Sequence, residues 1–439
     1  MTAQLQERLA ELSRLEPWRS TGRVARVTAR ELEVRGLRLR IGDALAIHGR
    51  DGMGHAEVIA LRPEGARVLL YGHNEGLGKG DPVTVLRDGL GSRISPDLVG
   101  RVVDGLGRPV DGTAAIAGEP VNVTAPAPDP LSRMRINQPM PTGVRLIDTF
   151  CTTGRGQRIG IFGGSGVGKS TLLGMMARGT GADVAVLALI GERGREVREF
   201  IEDELGPEGM SRSIVVVATS DEPPLMRLRA ALLATRIAEW FSDRGSDVLL
   251  MMDSLTRLAM AQREIGLAAG EPPTARGYTP SVFALMAGLL ERAGPRARGT
   301  ITGFYTVLVE GDDMNDPIAD AARSILDGHL VLDRRIAVAG RYPAIDPLSS
   351  LSRLAPKLVN PARIDLVAAA RNAMAAADEV RELVEVGAYV PGSNPAADRG
   401  MLALPQLTEF MRQDASEVTG YEAAWDDLEK LRSVVGGVR

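Results

Sequence analysis

The chain has 439 residues, of which 44% are hydrophobic and 25% charged, and its formal net charge is −4. That composition supports a substantial core spread over several domains, and so slight an acidic excess gives no support to a basic nucleic-acid-binding surface. The lone cysteine, Cys151, excludes an internal disulfide and suits a reducing compartment, while the lack of any run of about 18 apolar residues predicts no membrane span.

Residues 2–16 read as an amphipathic helix. Leu5, Leu9, Leu12 and Leu15 share one face and Pro17 ends the run. Glu7, Arg8, Glu11 and Arg14 break any apolar export signal. Such a helix either packs on its own domain or is offered to a partner. From about 20 to 95 the apolar period becomes two, as in Leu32 and Val34, then Leu37, Leu39 and Ile41. Gly-rich breaks at Gly52–Gly54 and Gly76–Gly80 divide the short runs. Short strands at this spacing predict a small β-barrel.

Residues 96–140 carry Pro109, Pro120, Pro126, Pro128, Pro130 and Pro139. They read as a connection laid along a larger domain. Between about 145 and 345, apolar runs at Arg158–Phe162, Val184–Ile190, Ile214–Ala218, Val248–Met252 and Thr302–Val309 alternate with helical stretches. Near-continuous apolar strands imply a parallel sheet covered on both faces, hence an α/β core. Beyond Arg353 the chain turns rich in Ala, Leu and Glu, which predicts a helical end.

Gly163-Gly164-Ser165-Gly166-Val167-Gly168-Lys169-Ser170 matches the phosphate-binding pattern G-x-x-x-x-G-K-[ST] in full. A strand precedes it and a helix follows. Glycines let the backbone curl so that several N–H groups face one phosphate chain, and the helix N-terminus adds its dipole. Lys169 is expected at the β- and γ-phosphates, the Ser170 hydroxyl on Mg²⁺, and Thr171 at an α-phosphate oxygen. An acidic residue ending a buried strand should complete an ATPase site. Asp253 does so after Val248–Met252, where its charge is costly unless it faces a cation; it also stands where a helix-capping Asp would. Glu192, in Gly191-Glu192-Arg193-Gly194-Arg195-Glu196, follows another buried strand and is the expected base for the attacking water. Arg193 and Glu196 would pair beside it and hold the loop. Arg193 thereby joins Lys169, Glu192 and Asp253 in the expected catalytic set. A solvated charged loop is the rival reading of that stretch.

Several stretches resemble one family. Thr142–Asp148 leads into the P-loop, Asp253-Ser254-Leu255-Thr256-Arg257 follows, and then come Pro272–Tyr278 and Tyr342-Pro343-Ala344-Ile345-Asp346-Pro347. They look like the catalytic subunits of rotary ATP synthases and their secretion relatives. Pro280–Leu285 with Leu290–Gly294, and Val309–Asp320 with Ile325–His329, resemble the flagellar protein-export ATPase and its sister, the type III secretion ATPase. The resemblance spans about residues 20 to 420. It implies a docking helix at 1–17, a barrel at 18–95, a RecA-like ATPase domain with its connecting segment at 96–350, and a helical domain at 351–439. It implies ATP and Mg²⁺ as cofactors and a homohexamer at the inner face of the cell membrane. The implied partners are a stator-like regulator at the N-terminal helix, an export gate, a central stalk-like component, and export substrates with their chaperones, with no nucleic acid among them. By position, Tyr342 matches the aromatic that stacks on adenine, and Arg353 matches the arginine finger lent to the neighbouring subunit.

Glu192 and Arg353 occur in one polypeptide, so a ring of identical copies could complete every site. The pattern from 140 to 220 leans towards flagellar export, with injectisome export as the alternative. An ATP-synthase subunit would need an alternating partner. A terminator-like RNA translocase would need stacking aromatics, and between residues 20 and 95 Tyr71 is the only one. A non-catalytic ring component would not need Glu192.

Overall fold

The computed structural model describes the whole chain except residues 1–19, 29–30, 74, 88, 310–312, 314–315 and 437–439. The helix expected over 2–16, and most of the Glu310–Asn315 stretch, therefore lie outside the described residues. The chain divides into two compact units. The first gathers the described residues up to Gly91 with two short stretches, Pro223–Leu225 and Glu264–Pro272; the second holds the remainder.

In the first unit, β1 (Gly22–Val27), β2 (Glu31–Arg35), β3 (Ala44–Gly49), β4 (Gly52–Arg62), β5 (Gly65–Leu70) and β6 (Pro82–Val85) form a closed barrel in the order β1-β2-β5-β4-β3-β6. The period-two pattern sends Val24, Leu32, Val34, Leu45, Ile47, Val58, Val68 and Val83 inward, each nearly or fully buried. Closure pairs the outermost strands, so no open edge is left for another chain to extend.

The second unit begins with the proline-rich connection. It does more than wrap the core. β7 (Ser92–Ile94) pairs with β9 (Glu119–Val121), and β8 (Val102–Asp104) joins the edge of the main sheet beside β12 (Ser213–Thr219). The remaining strands of that nine-stranded sheet are β10 (Arg158–Gly163), β11 (Val184–Glu192), β13 (Asp247–Asp253), β14 (Gly294–Pro295), β15 (Thr300–Leu308), β16 (Gly328–Leu332) and β17 (Ile345–Ser352). Their order is β17-β16-β10-β15-β13-β11-β12-β8, with β14 paired to β15. The strands from β16 to β8 run parallel, while β17 and β14 pair antiparallel at the margins. The central runs are buried on both faces, as parallel strands under helices must be. β8 escaped the sequence reading because it has only three residues, and β16 and β17 because their burial alternates.

The C-terminal helices Pro361–Glu379, Pro395–Met411 and Tyr421–Glu429 share the core of the sheet. Leu366, Met374, Leu407 and Trp425 belong to the same buried cluster as Ile161 and Leu187. The whole second unit is thus an α/β P-loop core carrying a helical end.

Candidate active site

Parallel strands deliver their carboxyl ends to one rim, and the residues of interest sit there. β10 ends at Gly163. The loop then passes Gly166 and Gly168, with φ of 77° and 88°, a region that disfavours side chains. The helix Lys169–Gly179 starts directly after Gly168 and has no side-chain cap. Its first N–H groups are left for an anion, which is the arrangement that grips phosphate.

The Lys169 ammonium is buried and folds back on the loop, donating to the carbonyls of Gly163, at 3.2 Å, and Gly164. Burial lowers its pKa, while the charges of Asp253 and Glu192 oppose that fall. Asp253 closes β13 and is also buried. Burial raises the pKa of its carboxyl, and a hydrogen bond from the Thr306 hydroxyl, at 2.5 Å, pulls it back. That partner follows from strand register: Met252 pairs with Tyr305, so the next residues, Asp253 and Thr306, are neighbours. No pattern within either segment could have revealed the pair.

Glu192 closes β11. Burial, and then the nearby Asp253 carboxylate, push it up to about 7. Its loop neighbours are held as an exposed ion pair, Arg193 Nη1 to Glu196 Oε1 at 2.9 Å. Ser170, Glu192, Glu196, Glu204 and Asp253 line one cavity of about 250 Å³. A hydroxyl and carboxylates on one cavity wall offer oxygen donors of the kind a hard cation takes, although among the described residues no three acidic side chains close on one point.

The Thr171 hydroxyl donates to Glu204 Oε1 at 2.6 Å. Tyr342 stands beside the P-loop: a Cβ on Gly168 would lie 3.5 Å from its ring, and the residue is 44% exposed. Ser165 offers its carbonyl to Arg334 Nη2 at 3.2 Å. Val167 is buried in the main core, which anchors the loop from beneath, while Gly164 is buried beside it.

Arg353 is not in this group. β17 runs antiparallel to β16, pairing Ser352 with Gly328 and Ile345 with Leu332, while Gly163 pairs with Leu332 on the other side. Arg353 therefore follows the end of β17 at the rim opposite the P-loop. Two contributors escaped the sequence reading. Arg257, one helical turn beyond Asp253, lowers the pKa values of both acids through its charge, and its buried Nε has no partner among the described residues. Thr306 is the other.

The family described as the ATP synthase alpha/beta family, nucleotide-binding domain, matches residues 143–352, and that described as the T3SS EscN ATPase C-terminal domain matches residues 359–430. The flagellum-specific ATP synthase of Bacillus subtilis is 48% identical over 425 residues, covering 96% of both chains. The chain belongs to the flagellar and type III secretion ATPase family. A type 3 secretion system ATPase of Xanthomonas euvesicatoria is 49% identical, covering 97% of this chain and 96% of its own. The assembled ATPase EscN of the enteropathogenic E. coli type III secretion system superposes with a TM-score of 0.89 at 43% identity, over 94% of this chain and 100% of that one. EscN has also been solved in complex with its central stalk EscO, and that structure superposes with a TM-score of 0.86. This export ATPase is therefore an enzyme that hydrolyses ATP, with its nucleotide-binding domain spanning the rim described above.

Proposed function

We propose that the protein hydrolyses Mg²⁺-ATP as a ring of identical subunits and thereby drives protein export through a type III apparatus. The observation that carries this reading is the convergence of Lys169, Ser170, Glu192 and Asp253 at the carboxyl ends of β10, β11 and β13. Gly163 to Thr171 would cradle the triphosphate, with the uncapped helix N-terminus facing it. Lys169 would move from the Gly163 and Gly164 carbonyls to the terminal phosphates. Ser170 and Asp253 would hold Mg²⁺, which neutralises charge on the phosphates and lowers the repulsion among the surrounding acids. Glu192 would orient and deprotonate the attacking water, with Arg193 fixing the loop through Glu196. Tyr342 would stack on the adenine.

Ring assembly is supported by two features. EscN, the relative of closely similar fold, is known as an assembled ATPase, and Arg353 is out of reach of its own P-loop. In a ring it would reach the neighbour's γ-phosphate. A stalk at the centre, a regulator at the N-terminal helix and export substrates with chaperones complete the proposed partners. The place of work is the cytoplasmic face of the membrane, bound through the apparatus. Flagellar and injectisome relatives match equally well, so the proposal is for type III export as a class.

The test is steady-state phosphate release by the purified full-length chain, with magnesium and with a chelator, while its mass is followed in solution. Turnover should require magnesium and rise with assembly. Peak turnover by a monomer would sink the ring, and the absence of magnesium-dependent turnover would sink the catalytic reading.

A further inference from the structure

Gln157 is fully buried, yet its side-chain amide joins three segments. Oε1 accepts from the Gly154 N–H at 2.8 Å, and Nε2 donates to the Asp327 carbonyl at 3.1 Å and the Ser352 hydroxyl at 3.0 Å. The Ser352 hydroxyl donates onward to the Thr152 carbonyl at 2.8 Å. The Asp327 carbonyl also receives the backbone N–H of Arg353 at 3.0 Å. The last residue of β17 and the first beyond it are thus pinned to the chain that enters β10. Arg158, the first residue of β10, grips the Asp327 carboxylate through its N–H and Nε, both at 3.1 Å. By contrast the Arg353 side chain is exposed, its Nη2 donating to the Arg323 carbonyl at 3.2 Å.

A long, exposed guanidinium lends itself to a neighbour only if its backbone is fixed, because an error of about 1 Å in a positioned group can cost on the order of 10²-fold in rate. We propose that Gln157 is a positioning residue for the arginine finger. Through Ser352 and the Asp327 carbonyl it locks the Arg353 backbone to β10, the strand whose other end is the chain's own P-loop. Its effect therefore appears in the neighbour's site and not in its own. The proposal rests on reading Arg353 as a finger lent in trans. It also gives β10 a second use: a shift of the strand on nucleotide binding would be passed to the finger base at its far end.

The experiment is subunit mixing with full-length protein. Gln157→Leu and Ser352→Ala are each expected to lower kcat about tenfold or more while KM for ATP stays within about twofold. Each is then mixed with a Lys169→Ala chain, which cannot turn over but keeps the clamp and the finger. Turnover of the mixture should exceed the sum of its parts, since Lys169→Ala neighbours supply well-placed fingers to intact P-loops. Arg353→Ala mixed with Lys169→Ala is the reference for the finger itself. Recovery there, with none for Gln157→Leu or Ser352→Ala, would show that the clamp serves its own site and overturn the proposal. Failure of the reference mixture would instead overturn the finger reading. Thermal melting identifies a Gln157→Leu chain that does not fold; Ser352→Ala removes one hydroxyl and then decides the matter alone. Wild-type kcat in Ser352→Ala would also overturn the clamp.

Discussion

At the scale of single residues, the site is a balance of crowded charges. Lys169 is held below its ordinary pKa by burial, while Glu192 and Asp253 are pushed up by burial and, for Glu192, by each other's proximity. Glu192→Gln keeps the shape and removes the proposed base. Nucleotide binding should survive, and phosphate release should fall by about 10²-fold or more, the usual contribution of a positioned base. Because Glu192 lies near 7, kcat/KM of the wild type should drop as pH falls through that value and the carboxylate gains its proton. The residual activity of Glu192→Gln should lose that acid limb. The same shift has a stability consequence of definite sign. A carboxyl raised in the folded state favours folding when protonated, so this contribution is present at low pH and is lost as pH rises through about 7. Glu192→Gln should therefore melt higher than wild type at pH 8, with the gap narrowing as pH falls below about 7 and closing near the ordinary carboxyl value of 4.5. Tyr342, half-exposed beside Gly168, is a different kind of group. Base stacking contributes about 1–3 kcal/mol, so Tyr342→Ala should raise KM for ATP about tenfold and Tyr342→Phe should leave it near wild type.

At the scale of elements, the helical end is joined to the core by close packing. Gly400 in the helix Pro395–Met411 faces the backbone of the helix Pro361–Glu379, and a Cβ there would collide with the Ala373 carbonyl and stand 3.0 Å from the Ala377 nitrogen. The two helices can approach only while that position is bare. Gly400→Val should destabilise the protein by about 1–3 kcal/mol through overpacking, read as a lower melting temperature, while KM for ATP in the surviving folded fraction stays unchanged. The strands show the complementary behaviour. β10, β11 and β13 were visible as apolar runs because both their faces are covered. β17 was not, because its half-wet pattern resembles a loop, and β8 was not, because three buried residues are too short a run to stand out. The Asp253–Thr306 hydrogen bond likewise exists through the register of β13 against β15.

At the scale of the whole molecule, the opposite placement of the P-loop and Arg353 is the decisive feature. Antiparallel addition of β17 to a parallel sheet carries the end of that strand to the far rim. One copy cannot bring Arg353 to its own Lys169, whereas a head-to-tail ring of copies can satisfy every site. Arg353→Ala should leave nucleotide binding and assembly intact and cut turnover by about 10³-fold or more, the size expected of the proposed finger. Nucleotide titration, gel filtration and phosphate release measure the three in turn.

The P-loop, the acid at the end of an apolar strand and the barrel's alternation are local patterns, and the sequence alone determined them. A strand–glycine–lysine–helix run has one physical use, and period two has one geometry. The family was legible too, because long motifs such as Asp253–Arg257 and Pro272–Tyr278 occur whole. Only the tertiary structure decided which groups meet: Thr306 with Asp253, Thr171 with Glu204, Gln157 with Ser352. Those partners lie between 33 and 195 residues apart, and strand order and register, which no local pattern encodes, bring them within hydrogen-bond reach.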